Sequence, residues 1–221
     1  MKASIQVVLW DAGGTLVRTR RKVGEYYSEV GKSFGYTLDP EESHRRFKKA
    51  FVSLKPRPEA SIPQNGDDRG WWKELVQLCT PEHQGDSKFH HFFETLYTGF
   101  ENPEWWELFS DVLPALDFFK ARGLRQAVLS NWDSRLNPIL TGMKIDAYFE
   151  RRWISAEQGF EKPNPLFYQK VFEGMGVRPE ECLVIGDDPI NDDEAPKALG
   201  CQTFLVQRPE RGLDRIFEYF G

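Results

Sequence analysis

The chain has 221 residues, 29 Lys and Arg against 34 Asp and Glu, a formal net charge of -5 and 40% hydrophobic residues. This length fits one large domain or a core domain with an insertion, and the apolar content excludes disorder as the main state. The modest acidity gives no indication of a nucleic-acid partner, and no apolar run approaches the roughly 20 residues that a membrane-spanning helix needs.

The first predicted element is a short buried strand. Residues Ile5 to Trp10 form an apolar run rich in β-branched residues, which is typical of such a strand. The run ends in Asp11-Ala12-Gly13-Gly14-Thr15, a sequence that favours a tight turn. A carboxylate held there can act as a nucleophile, beside glycine N–H groups that approach a bound anion, or it can simply cap the turn.

A helical segment follows the first strand. Apolar residues from Val23 to Phe34 fall on one face of a helix, and a second helix is predicted to start at Pro40. Two further helical patterns run from Trp71 to Leu78 and from Phe89 to Phe100. Because no alternating β-branched run occurs in this part of the chain, the sequence predicts an all-helical insert.

The second half alternates between helical and strand patterns. Such alternation predicts a parallel sheet with helices on both faces, an α/β fold. The predicted helices cover residues 112–121, 133–141, 165–175 and a segment ending at 199, and the predicted strands cover residues 125–129, 153–155, 182–185 and 203–206.

Polar side chains follow three of the predicted strands. Asp11, Ser130-Asn131 and Asp187 each come directly after a strand, and ligands of such sheets bind at the carboxyl ends of the strands. Ser130, Asn131 and the adjacent N–H groups can bind phosphoryl oxygens, or they can cap the next helix.

Two further segments carry charges that suit a phosphoryl site. Lys162 lies between a glutamate and a proline in Glu161-Lys162-Pro163-Asn164-Pro165, where the prolines restrict the backbone; it can neutralise a phosphoryl group or be a solvated loop lysine. Residues 187–193 contain four aspartates, which repel one another unless a cation lies among them. Mg²⁺ suits such a cluster, although an acidic helix start has the same composition.

Together these segments resemble the four motifs of the haloacid dehalogenase-like hydrolase superfamily. The matching segments, in order, are VVLWDAGGTL, AVLSN, GFEKPNP and VIGDDPINDDEAPKALG. The helical segment lies where type-one caps occur, and GWWKELV within it is similar to a cap segment of the subgroup named for a rhythmically expressed insect gene. The resemblance implies a Rossmann-like three-layer α/β/α core of residues 1–16 and 105–221, closed over by a helical cap of residues 17–104.

The resemblance also implies a role for each motif residue. Asp11 would be the nucleophile that forms an aspartyl-phosphate, and Lys162 would stabilise it. Thr15 and Ser130, together with Asn131, would bind the phosphoryl group. The implied ligands of Mg²⁺ are Asp11, the backbone carbonyl of Gly13, and Asp187, with Asp192 supporting the site.

Position 13 departs from the phosphatase pattern, which has a second aspartate there. Gly13 has no side chain to protonate a leaving group, and general acid–base catalysis typically contributes about 10²–10⁴-fold. The expected function is Mg²⁺-dependent hydrolysis of a small phosphorylated metabolite. Dehalogenation of 2-haloacids is an alternative, since halide leaves without a proton.

Two further alternatives involve the helical insert. Carbon–phosphorus bond cleavage would need an insert lysine as Schiff base, and the candidates by location are Lys22, Lys48, Lys49 and Lys55. A weakly catalytic binding protein could instead use the insert's aromatic residues as an interaction surface, although helical spacing favours an aromatic core.

The partners expected from the sequence are a small phosphorylated metabolite and, at most, a second copy of the chain. Three cysteines, far apart and odd in number, predict reduced thiols in the cytoplasm rather than a disulfide framework. We therefore expect a cytoplasmic monomer or dimer without a membrane or nucleic-acid partner.

Overall fold

A five-stranded parallel sheet forms the centre of the molecule. The computed structural model describes residues 4–220, apart from the side chain of residue 219. The strand order is β5-β4-β1-β6-β7, and every neighbouring pair is parallel. These strands are β1 Val7–Trp10, β4 Arg125–Ser130, β5 Arg151–Ile154, β6 Cys182–Gly186 and β7 Gln202–Leu205.

Helices cover both faces of this sheet, which confirms the predicted three-layer α/β/α fold. Alternation along β1 sends Val8 and Trp10 into one buried layer, and Val7 and Leu9 into the other. The helices that follow the insert are α5 Val112–Ala121, α6 Leu136–Gly142, α7 Ser155–Gln158, α8 Pro165–Met175, α9 Ala195–Ala198 and α10 Ile216–Phe220.

The helical segment has its own apolar core. Its helices are α1 Val23–Ser33, α2 Pro40–Ser53, α3 Arg69–Cys79 and α4 Phe89–Gly99. The buried rings of Phe92 and Phe93 pack there with Tyr27 and Leu75. The aromatic residues of this segment therefore stabilise its interior, as their helical spacing indicates. The division into a core and a cap at residues 17 and 104 stays a prediction.

One element of this segment was not predicted. Residues Val17–Thr19 form strand β2, which pairs antiparallel with strand β3, Trp106–Leu108. The expectation of a purely helical segment from residue 17 onward is therefore wrong at its first residues. Three-residue strands show too little alternation to be recognised, and the pairing partner is remote in sequence.

The chain after β6 also differs from the prediction of one regular helix up to residue 199. It first forms a π-helical turn, Pro189–Glu194, and only then α9. Turns of this kind are frequent at functional sites. The three cysteines are buried and free, as expected. Among the described residues, no helix has the length and the apolar character that crossing a membrane requires.

Candidate active site

Asp11 lies at the carboxyl end of the central strand. Its backbone N–H donates to the carbonyl of Ile185 on the neighbouring strand (2.8 Å), which extends the sheet pairing by one residue. Its carboxylate oxygen Oδ1 accepts hydrogen bonds from Ser130 Oγ and Lys162 Nζ, each at 2.9 Å. The structure thus brings together residues that three separate sequence segments supply.

The turn after Asp11 requires glycine at position 14. Gly14 has a φ of +78°, and a Cβ there would lie 2.3 Å from Oδ2 of Asp187. Glycine therefore serves both the left-handed backbone and the close approach of Asp187. The next residue, Thr15, is fully buried, and its hydroxyl donates to Oδ1 of Asp187 at 3.4 Å.

Lys162 is buried between two carboxylates. Its Nζ lies 2.9 Å from Asp11 Oδ1 and 2.6 Å from Asp192 Oδ1. Burial acts to lower the pKa of Lys162, but the attraction of Asp11 and Asp192 outweighs it and raises the pKa. The lysine therefore stays charged and holds the two carboxylates together.

Asp192 is buried beneath the site. A Cβ at Gly186 would lie 2.1 Å from Cγ of Asp192, so glycine at the end of β6 makes room for this carboxylate. Burial raises the pKa of Asp192 to about 6, against the opposing effect of Lys162. Its second oxygen accepts from the backbone N–H of Asp188 at 3.1 Å, which ties the π-helical turn to the lysine.

Asn131 contacts the backbone of Lys162. Its side-chain amide donates to the Lys162 carbonyl (2.8 Å) and accepts from the Lys162 N–H (2.7 Å). Both polar atoms of the Asn131 side chain therefore position the lysine, a role that the sequence analysis missed. Phosphoryl binding by Asn131 stays a prediction.

Three carboxylates of the site suit a divalent cation. One oxygen each of Asp11, Asp187 and Asp192 lies within 4.8 Å of the others. Desolvation in the cleft, together with the charges of Asp11 and Asp192, raises the pKa of Asp187 to about 7. These carboxylates repel one another, and a bound cation would offset that repulsion. Because their oxygens are hard ligands, the cluster fits Mg²⁺.

Trp132 is the site residue that sequence reasoning missed. A Cβ on Gly13 would lie 3.0 Å from Cζ3 of the Trp132 indole, so this ring covers the residue that lacks the expected carboxyl. The sequence signal was limited to the position of Trp132, two residues after Ser130.

A cavity of about 500 Å³ opens beside these residues, between the helical insert and the sheet edge. Polar residues of the four motifs line one end. The remaining wall is mostly aromatic and aliphatic, and it includes Phe47, Phe51, Trp72, Val76, Phe93, Leu96, Phe100, Trp106 and Trp132.

The insert lysines differ in their positions. Lys55 lines the cavity, with its Nζ 4.1 Å from the centre of the Phe51 ring. Lys22 forms an ion pair with Glu41 (2.7 Å), and Lys48 and Lys49 are exposed and lie outside the cavity lining. Lys55 alone of these four lies at the cavity.

A buried ion-pair network joins the insert to the loop of Lys162. Arg57 contacts Asp68 at 2.6 Å within the insert and Glu161 at 2.9 Å beside Lys162. All three side chains are largely buried. The network therefore links the position of the insert to the loop that carries the site lysine.

Comparison with known proteins identifies relatives along nearly the whole chain. The family model of haloacid dehalogenase-like hydrolases matches residues 5–200. The haloacid dehalogenase-like hydrolase domain-containing protein 3 of Danio rerio is 30% identical over 217 residues, 95% of this chain and 88% of the relative. The rhythmically expressed gene 2 protein of Drosophila melanogaster is 29% identical, and the match covers 98% of this chain and 87% of that protein. This match confirms the subgroup resemblance.

Solved structures share the fold. The magnesium-bound YfnB of Bacillus subtilis, described as a HAD-hydrolase, superimposes with a TM-score of 0.80 at 14% identity. The match covers 98% of this chain and 99% of YfnB. At this identity the likeness concerns the fold alone.

Proposed function

The chain belongs to the family of haloacid dehalogenase-like hydrolases, and on that premise we propose that it hydrolyses a small phosphorylated metabolite with Mg²⁺ as cofactor. The supporting observation is the environment of Asp11. Ser130 and Lys162 both contact Oδ1, and no described donor contacts Oδ2. Oδ2 is therefore available to attack phosphorus and form an aspartyl-phosphate.

The donors around Asp11 prepare it for this attack. The Asp11 carboxylate and a phosphoryl dianion repel each other, and the ammonium of Lys162 offsets this repulsion. The Ser130 hydroxyl donates to Asp11 and the Thr15 hydroxyl donates to Asp187, and each can turn its hydrogen to a phosphoryl oxygen when the substrate binds. Asn131 holds the backbone of Lys162, so the ammonium keeps its place as the phosphoryl group arrives.

The metal ligands in this proposal are Asp187, Asp11 and the backbone carbonyl of Gly13. Magnesium, when bound, supplies positive charge that offsets the phosphoryl oxygens. Asp192 lies behind these ligands and pairs with Lys162, so its contribution is to keep the lysine in place.

The test is phosphate release from acetyl phosphate by the purified protein, with Mg²⁺ and with a chelator. Acetate leaves without a proton, so the lack of an acid at Gly13 does not slow transfer of the phosphoryl group to Asp11. We expect chelator-sensitive release and, in mass spectrometry of the quenched enzyme, a phosphoryl group on Asp11. The absence of both would overturn the proposal and favour a protein that binds its ligand without turnover.

Dehalogenation of 2-haloacids is the second candidate. The observation that favours it is Gly13 beneath the Trp132 ring, since halide departs without a proton. The carboxylates of Asp187 and Asp192 argue for the metal-dependent reaction instead. If the protein released halide from 2-chloropropionate and a chelator did not change the rate, dehalogenation would become the preferred function over phosphate ester hydrolysis.

We further propose that the chain acts in the cytoplasm, as a monomer or dimer. Its free and buried Cys79, Cys182 and Cys201 suit a reducing compartment. Size-exclusion chromatography with light scattering measures the oligomeric state.

A further inference from the structure

The Trp132 ring lies against the backbone position from which a side chain at residue 13 would extend. The Cζ3, Cη2 and Cε3 atoms of the indole lie 3.0, 3.8 and 3.9 Å from the position of a Cβ on Gly13. A Cβ here would require the ring to shift by a few tenths of an ångström, so the ring crowds any side chain at residue 13. The position that lacks the acid is therefore covered by an apolar group.

Hydrogen bonds hold the backbone of Trp132, and a neighbouring ring packs against its indole. The backbone N–H of Trp132 donates to Ser155 Oγ (3.0 Å), and its carbonyl accepts from Ser155 Oγ and from the N–H of Ala156 (3.0 Å each). The indole packs against Trp106, with ring centres 5.2 Å apart. The apolar surface over Gly13 is thus a built part of the cavity.

The other charged donors among the described lining residues are poorly suited to replace the acid. Lys162 is held by two carboxylates that raise its pKa. The guanidinium of Arg135 pairs with Asp133 (2.7 Å), and that of Arg18 pairs with Glu107 (2.7 Å). An arginine does not release its proton at physiological pH.

Tyr97 and Lys55 are two further proton donors of the cavity lining. The Tyr97 hydroxyl donates to Asp133 at 3.2 Å, and burial raises its pKa. Lys55 contacts the Phe51 ring, and the charges of Glu161, Asp188 and Asp11 act on it. Burial lowers the pKa of Lys55, so this lysine is an alternative proton source that an experiment has to exclude.

The rest of the cavity suits the apolar part of a ligand. Aromatic rings from the insert, including Phe47 and Phe51, face the same space as Trp106 and Trp132 from the core. Aromatic side chains and a few polar groups at one end are the usual lining of a pocket for a ring-bearing ligand. A cavity of about 500 Å³ is within the range for small-molecule sites.

From these observations we propose that the substrate is an aryl phosphate, a monoester whose leaving oxygen is phenolic and whose ring lies against Trp132 and the aromatic wall. The inference rests on the proposed phosphatase function. A phenol has a pKa of about 10, as in tyrosine, whereas an alcohol is about as weak an acid as water, with a pKa of about 16. A phenolate can therefore depart without an enzymatic acid.

The reaction balances without a further reactant. The Asp11 carboxylate attacks phosphorus, the bond between phosphorus and the phenolic oxygen breaks, and the phenolate takes the electron pair and then a proton from solvent. Water attacks the aspartyl-phosphate and transfers its proton to a phosphate oxygen. Dihydrogenphosphate leaves, and the Asp11 carboxylate is restored.

The test compares phenyl phosphate with cyclohexyl phosphate, which has a ring of similar size and an alcohol leaving group. With Mg²⁺, we expect kcat/KM for phenyl phosphate to be higher by about 10²-fold or more, since a general acid is typically worth about 10²–10⁴-fold. We also expect 1-naphthyl phosphate to have a lower KM than phenyl phosphate, because it fills more of the apolar wall.

Two variants test the apolar wall. Phe47→Ser alters a ring that lines the cavity, and Phe34→Ser alters a ring that packs on the same insert core outside the lining. Phe47→Ser is expected to raise the KM for 1-naphthyl phosphate about tenfold and the KM for the smaller phenyl phosphate by less. Phe34→Ser is expected to lower the melting temperature and leave the KM unchanged. Equal KM values in the two variants would overturn the assignment of the wall.

Acetyl phosphate separates the two proposals. If it is not hydrolysed, the phosphatase function fails. If it is hydrolysed but cyclohexyl phosphate is turned over within tenfold of phenyl phosphate, the function stands and the aryl phosphate inference is overturned. Lys55→Met should slow phenyl phosphate and 4-nitrophenyl phosphate equally; a greater loss with phenyl phosphate would identify Lys55 as the acid and also overturn the inference.

Discussion

The edge of the Trp132 indole lies 3.0 Å from the position that a Cβ on Gly13 would take. At this turn, the positive φ belongs to Gly14 rather than to Gly13. The backbone at position 13 therefore accepts an L-amino acid, and the obstacle to an acidic side chain is the ring.

We therefore predict that restoring the acid takes two substitutions. We expect Gly13→Asp alone to lower the free energy of unfolding by about 1–3 kcal/mol through overpacking, without a gain on cyclohexyl phosphate. Gly13→Asp combined with Trp132→Ala should turn over this ester about 10²-fold faster than Trp132→Ala alone. Chemical denaturation and phosphate release measure both effects, and Gly13→Ala is the control without a carboxyl. A gain in the single variant would mean that the ring moves aside.

Replacing the nucleophile is the second prediction. Asp11→Asn should reduce phosphate release from acetyl phosphate by about 10⁴-fold or more, because an amide is a poor nucleophile. The phosphoryl adduct should disappear from the mass spectrum of the quenched enzyme. Asp193→Asn is the control, since Asp193 lies in the π-helical turn after β6 and pairs with Lys197 outside the cavity lining. Full turnover by the Asp11 variant would exclude it as the nucleophile.

The stability of the metal-free protein should depend on pH through Asp187. Folding raises the pKa of this carboxyl to about 7, so the folded state binds more protons than the unfolded state between pH 4 and 7. Stability should therefore fall as pH rises through this window, and Asp192, with a pKa of about 6, contributes in the same direction.

Asp187→Asn tests this dependence by thermal melting. Without metal, the variant should melt at a higher temperature than the unmodified protein at pH 7.5 and at the same temperature at pH 4. Mg²⁺ should raise the melting temperature of the unmodified protein at pH 7.5 and have a smaller effect on the variant. Equal responses to Mg²⁺ would remove Asp187 from the metal ligands.

The fourth prediction concerns the buried network of Arg57, Asp68 and Glu161. Arg57→Met leaves two buried carboxylates without their cation, and breaking a buried pair in this way costs about 3–5 kcal/mol. Burial already raises the pKa of Asp68 to about 6, and loss of the guanidinium should raise it further. Because Glu161 precedes Lys162, we also expect kcat for acetyl phosphate to fall.

The control for this network is Arg18→Met. Arg18 forms an exposed pair with Glu107, and such pairs contribute about 0–1 kcal/mol. Urea denaturation of the two variants should separate them clearly. Comparable losses of stability would show that the Arg57 network contributes no more than a surface pair.

The convergence of Asp11, Ser130 and Asp187 could be predicted from the sequence. Each residue follows an apolar run of strand length, and parallel strands end at one edge of a sheet. Lys162 was harder to place, because its loop has no regular periodicity. Its motif indicated a role, but the ion pairs with both Asp11 and Asp192 depend on how the loop folds over the sheet.

What the sequence by itself determined was the α/β core, the helices of the insert and the residues at the strand ends. These follow from local periodicity, which each segment carries alone. Only the tertiary structure decided the pairing of β2 with β3, the contact of Asn131 with Lys162 and the position of the Trp132 ring over Gly13. These features join residues tens to more than a hundred positions apart, and their geometry depends on packing between elements, which no local pattern records.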